Sequence, residues 1–300
     1  MMGAARREAD GLRGMDEVKG RSLWQDAQRR LVRNKAAVAS MILLAIIAFM
    51  AIFAPLLSPH PFDELYWERI AVPPDFANAH WFGTDGNGRD LFVRTLYGAR
   101  VSLMVGIVAT TVSLIIGVTY GAIAGYMGGR VDNVMMRFVD IMYSLPFMFF
   151  VIILMVIFGR NIFLIFIALG AVEWLTMARI VRGQTLSIRK KEFIEAAIAS
   201  GVSTMTIIRR HVIPNVLGPV IVYMTLTIPQ VILTESFLSF LGLGVQEPLT
   251  SWGVLISEGA GQMESYPWML IFPAIFLAVT LFCFNFIGDG LRDALDPKDR

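Results

Sequence analysis

The sequence predicts an all-α integral membrane protein with six membrane-spanning helices and both termini cytoplasmic. Three observations predict it. Of 300 residues, 56% are hydrophobic and only 17% charged, against roughly 25% charged in soluble domains. The missing charge is concentrated in apolar runs near the ~20 residues that cross a hydrocarbon core of about 30 Å as a helix. Read as alternating spans, those runs place all but five of the 26 Lys and Arg on one side, the cytoplasmic side by the positive-inside rule.

The runs are Ala36–Leu57, Val101–Tyr126, Phe138–Phe158, Ile162–Ala178, Val216–Leu238 and Trp268–Ile287. Each must be helical in lipid, where every backbone N–H and C=O needs an internal partner. The fourth is the shortest and carries Glu173. The first is longer than the apolar stretch of a signal peptide, with no clear small-x-small site after it, so it reads as a retained helix. The resulting organisation is a tail over 1–35, a first span over 36–57, an outer loop over 58–100, a five-helix core over 101–290 and a tail over 291–300. A cytoplasmic loop over 179–215 lies inside the core.

The five outer cations are Arg69, Arg89, Arg94, Arg100 and Arg160. No Lys or Arg lies between Val212 and Leu291, so the last outer loop has only the acids Glu247, Glu258 and Glu264.

In the N-terminal tail, Ser22 can cap a helix with Gln25 three residues on, and Leu23, Trp24, Ala27 and Leu31 cluster on one side. This reads as an amphipathic helix on the inner leaflet; the plainer alternative is a basic anchor beside the first span. The outer segment Phe82-Gly-Thr-Asp-Gly-Asn-Gly-Arg-Asp90 is a turn cluster, and its spacing matches neither an EF-hand nor a P-loop. Gly117, Gly121 and Gly125, four apart, share one face of the second span and let another helix approach closely.

No catalytic constellation is present. His60, His80 and His211 are scattered on both sides of the membrane, and no Walker A, HExxH or GxSxG pattern occurs,. The lone Cys283 lies in an apolar run, which rules out an internal disulfide and argues against a thiolate metal site. Nothing points to nucleic acid. The intramembrane ionisable residues are Asp140, Glu173 and Glu235, which by default raise a functional question. Asp140 and Glu173 read as lying near the cytoplasmic ends of their spans. Glu235 lies deeper, and either lines a polar cavity on a translocation path or makes an interhelical hydrogen bond.

The loop 179–215 is too apolar for a disordered tail. Lys191–Ser200 reads as a short helix carrying Ala196 and Ala197, with Gly201 as its stop. Ser203 can cap a second helix to about Arg210, and Pro214 is expected to block its continuation. Two short helices meeting at a glycine, with small residues exposed, make a knob suited to a cleft on another protein. The alternative is an amphipathic loop resting on lipid headgroups.

The string Glu195-Ala196-Ala197-x-x-x-Gly201, followed by Pro214, resembles the cytoplasmic-loop signature of binding-protein-dependent ABC importer permeases. Arg210-His-Val-Ile-Pro-Asn215 is similar to the peptide branch of that family, with His211 and Ile213 where the general pattern has Ile and Leu. Phe82–Asp90, Glu235–Pro248 and Phe284–Pro297 also resemble motifs of that branch. The resemblance implies a type I ABC importer permease fold. It also implies a homologous second permease subunit, two ATP-binding subunits that carry the Mg-ATP, a periplasmic peptide-binding protein and a peptide substrate. No cofactor is then expected on this chain, and Glu195, Ala196, Ala197, Gly201 and Pro214 take the role of coupling contact. The same branch moves dipeptides, nickel chelates and cell-wall peptides. A secondary transporter or channel is the competing class; Pro219 and Pro229 favour it, but no repeat relates the two halves.

Overall fold

Asp90 sets the start of the longest helix. Its carboxylate accepts from Val93 N–H at 2.8 Å, and the helix then runs unbroken from Leu91 to Met127 until Gly128 turns with φ +64. The structure, a computed structural model, describes residues 23–159 and 161–295. Expectations for the rest of the tails, for the Ser22 cap and for Arg160 lie outside the described residues.

The described residues form twelve α-helices, in chain order α1 (Leu23–Arg33), α2 (Lys35–Ile52), α3 (Ala54–Leu57), α4 (Leu91–Met127), α5 (Gly129–Ser144), α6 (Phe147–Phe158), α7 (Ile162–Ile188), α8 (Glu192–Ala199), α9 (Thr204–Ile207), α10 (Ile213–Phe240), α11 (Trp252–Ala260) and α12 (Trp268–Leu295). The only β features described are isolated bridges, Asp75 with His80 and Thr84 with Asp90. Five helices are long and apolar enough to cross a membrane, or six if α5 and α6 form one bent span.

Several expected boundaries are corrected. The first span ends at Ile52 rather than Leu57, and Pro55 in the first turn of α3 starts a separate short helix. The open carbonyls at that break are taken by Arg100, which donates to Ala51 O at 2.9 Å and Ile52 O at 3.0 Å. Helix α4 begins ten residues before the expected Val101, because Arg94 is paired with Glu258 and Arg100 is hydrogen-bonded to the Ala51 and Ile52 carbonyls, so neither interrupts it.

The third span, expected over Phe138–Phe158, is broken. Helices α5 and α6 meet at 81°. Pro146 lacks an N–H and pushes Leu145 into extended geometry, φ −76 and ψ 127,. The fourth span continues to Ile188, so the expected loop 179–215 is mostly helix and begins at Arg189. Glu173 therefore falls near the middle of α7, not at its end.

Helix α7 lies along α4 on the glycine face. A Cβ on Gly117 would stand 2.6 Å from Met177 Cβ, and one on Gly125 would stand 2.8 Å from Arg182 O; on Gly121 it would collide with Ala178 O. At the far end Arg182 grips Asp132 of α5, and Arg179 pairs with Asp140 at 2.8 Å. Helix α1 is present, and Leu31 reaches Gly290 of α12. One side of this helix thus packs on protein.

At the opposite, acidic end the two outer loops form one layer. Trp252 is fully buried; its Nε1–H donates to Thr95 O at 3.1 Å and its backbone N–H to Ser102 Oγ at 3.2 Å. These bonds pin α11 to α4.

Candidate coupling site

Helix α8 is closed by a Schellman turn. Gly201 N–H donates to Ile198 O at 2.9 Å and Val202 N–H to Ala197 O at 3.1 Å, the paired bonds that satisfy a helix's last carbonyls. Gly201 sits at φ +74, where a Cβ brings strain. Ser203 then caps α9, its Oγ accepting from Thr206 N–H at 3.4 Å. The expected knob is there, with α8 over Glu192–Ala199.

The knob has a buried root and an exposed tip. Ile194 and Ala197 pack against Tyr126 of α4, Val181 of α7, and Ile207, Ile208 and Val212. Glu195, Ala196, Gly201 and Pro214 are exposed. This corrects the expectation that both alanines face outward: Ala197 is a core residue, and only Ala196 is free for close approach.

Pro214 does not block the chain. The five residues Ile208–Val212 form a π-helical turn, in which Ile213 N–H bonds back to Ile208 O. The wider turn shifts the hydrogen-bond register just before the residue that lacks an N–H. Asn215 Nδ2 then donates to His211 O at 2.7 Å. Residues Thr204–Phe240 are consequently one helical rod of 37 residues, and Pro219 and Pro229 lie inside it without ending it.

Glu235 is fully buried. It accepts from Ser239 Oγ at 2.7 Å and Ser102 Oγ at 3.3 Å. Of its two readings, the geometry fits the interhelical one, since Ser102 on α4 bonds to it and its side chain has no solvent exposure.

The expectation of scattered histidines needs one correction. His60 stacks on His80 with ring centroids 4.1 Å apart at 14°, and His80 Nδ1 lies 2.8 Å from Asp90 Oδ2. Ligand atoms of these three residues lie within 4.8 Å of one another. Parallel rings, however, do not aim their in-plane lone pairs at one point. Both nitrogens of His60 are also engaged, by Tyr66 Oη at 2.9 Å and Asn78 O at 3.0 Å. Tyr66 is in turn pushed up to about 12 by burial and its bond to Glu64. The group buttresses the start of α4.

Sequence reasoning missed a buried ion cluster joining the outer loops. Arg89 donates to Asp85 through Nε at 2.8 Å and to Glu247 through Nη1 at 2.8 Å, and Arg94 reaches Glu258 at 3.4 Å. Burial lowers the Arg89 pKa, but Asp85, Glu247 and Glu258 more than offset it. Desolvation raises that of Glu258 against the pull of Arg94 and Arg89. The signal was available: one outer loop has acids without cations, and the other supplies arginines.

Residues 117–300 match the family model described as "Binding-protein-dependent transport system inner membrane component". The chain belongs to this family of transport permeases. Residues 22–74 of the permease also match "N-terminal TM domain of oligopeptide transport permease C". It is 61% identical over 284 residues to "Oligopeptide transport system permease protein OppC" of Haemophilus influenzae, covering 95% of this chain and 91% of that one. The Escherichia coli K12 protein of the same name is 62% identical, covering 95% and 94%. "Dipeptide transport system permease protein DppC" of Bacillus subtilis is 48% identical, covering 96% and 90%. Among solved structures, a chain of the inward-facing MetNI methionine ABC transporter aligns with a TM-score of 0.55 at 19% identity, covering 69% of this permease and 96% of that chain. That likeness shows the fold, a type I ABC importer permease core. The permease is a multi-pass membrane protein.

Proposed function

We propose that this permease is one of two membrane subunits of an ATP-driven importer that carries oligopeptides across the bacterial inner membrane. The observation that carries the substrate class is the 61–62% identity, over 95% of the chain, to proteins named as oligopeptide permeases; the dipeptide relative stands at 48%.

The knob supports the ATP-driven part. No Walker A pattern occurs in the sequence, so the Mg-ATP belongs to partner ATPases. With the basic end cytoplasmic, Glu195, Ala196 and Gly201 face those partners. Ala197 and Ile194 root the knob between α4, α7 and the π-turn, and α9 continues into α10. A displacement at Ala196 is therefore passed as a rigid-body motion to a rod of roughly 55 Å (1.5 Å per residue). The acidic end then faces outward, toward a periplasmic protein that delivers peptide.

The test is uptake of labelled tripeptides to pentapeptides in cells with and without this chain. ATP-dependent uptake that disappears on deletion and returns on complementation is expected. Uptake restricted to dipeptides would reassign the substrate, and uptake unaffected by deletion would overturn the reading.

A further inference from the structure

The acidic end holds a guanidinium that is only half used. Arg89 is 5% exposed and sits on a cavity of about 150 Å³ lined by Asp85, Asn87, Glu258, Gln262 and Met269. Among the described residues, Arg89 Nη2 and Arg94 Nη1 have no acceptor, although both are buried. An unmet buried N–H costs about 1–3 kcal/mol, and more when charged, so such donors call for an acceptor. The outward partner of Arg89 is Glu247, bound through one oxygen to Nη1 at 2.8 Å, with its side chain 62% exposed. Glu258 Oε1 stands 4.0 Å from Nη2, too far for a hydrogen bond,.

A carboxylate that took Nη1 and Nη2 together would make the two parallel bonds that guanidinium geometry favours. Exchanging Glu247 for an incoming carboxylate leaves the charge of the cluster unchanged. The new ligand would fill Nη2 as well, which Glu247 does not. The acids Asp85 and Glu258 line this site, which discourages a free small anion. A carboxylate on a protein surface, held there by its other contacts, is not excluded in the same way.

Building on the importer reading, we infer that Arg89 is the receptor for an acidic side chain of the soluble binding protein that docks on the outer face, and that Glu247 occupies its place until docking. Glu247 lies on the loop between α10 and α11, and α11 is pinned to α4 through Trp252. Displacing it therefore reports docking to two helices of the core.

The test measures docking of the cognate binding protein to the complete transporter in nanodiscs, by fluorescence anisotropy. Glu247→Gln weakens the placeholder and is expected to tighten docking about fivefold, equivalent to about 1 kcal/mol. Arg89→Lys, which keeps the charge but loses the fork, is expected to weaken it. Unchanged or weaker docking by Glu247→Gln would overturn the inference, whether or not the Arg89 variant folds. If the complex without binding protein instead bound free-acid tripeptide but not its C-terminal amide, and Glu247→Gln enhanced this, the carboxylate would be the substrate's and the inference would also fall. No docking by the wild-type complex would sink the importer reading itself, a result distinct from either.

Discussion

Asp132 of α5 and Arg182 of α7 are locked by two parallel hydrogen bonds, Nε to Oδ1 at 2.5 Å and Nη2 to Oδ2 at 2.6 Å. Asp132 is nearly buried and Arg182 about one-third exposed. The pair clamps the far end of α7 just before the chain turns into the knob of α8 and α9. Asp132→Asn strands the guanidinium, and a cost of about 1–3 kcal/mol is expected, below that of a fully buried pair because water reaches one side. A thermal-melt series in detergent would check this, and a double-mutant cycle with Arg182→Gln should recover much of the loss.

The glycine face predicts a contrast between two conservative changes. Gly121→Ala puts a methyl group into Ala178 O, whereas Gly183→Ala on α7 meets nothing within 4 Å. The first should lower stability by about 1–3 kcal/mol through overpacking. The second should hold or raise it slightly, since alanine favours helix. Equal melting temperatures for the two variants would contradict close α4–α7 packing.

Glu235 separates a structural from a transport role. Glu235→Gln keeps a group that bonds to Ser102 and Ser239, so stability and uptake should both stay near wild type. Glu235→Ala leaves those buried hydroxyls unmet, and a loss of about 1–3 kcal/mol is expected. A stable Glu235→Gln variant that imports nothing would show that the carboxylate acts on the path and not between helices.

The spans were legible because lipid allows little else: an apolar run near 20 residues must be helical. The glycine face and the Gly201 turn were also readable, since each rests on the missing Cβ. Prolines were not. Pro146 bends the chain by 81°, while Pro214, Pro219 and Pro229 lie inside one continuous helix. The difference lies in what serves the freed backbone, a π-turn and Asn215 in the case of Pro214, and that depends on local register. Arg94 and Arg100 likewise misled the boundary of α4, because their partners come from distant segments. Burial of Ala197 but not Ala196 follows from which side of α8 meets the spans, which the motif alone does not state.

The π-turn gives a prediction of its own. Pro214→Ala restores an N–H and removes the need for the wider turn. The rod should tighten to regular α-helix, rotating α8 and α9 relative to α10. ATPase activity should then persist with less uptake per ATP hydrolysed, measured as peptide transported per phosphate released. An unchanged ratio would show that the turn has no part in transmission.

The most direct test of the account is Gly201→Asp in the purified complex. A Cβ at Gly201 meets nothing within 4 Å, and aspartate tolerates the left-handed backbone better than most residues. The fold should survive, while a charge is added on the knob's exposed face. The account predicts that ATPase subunits still co-purify, and that ATP-driven tripeptide uptake into proteoliposomes falls to background. Normal uptake by a stably assembled Gly201→Asp complex would contradict the claim that this knob couples ATP hydrolysis to transport.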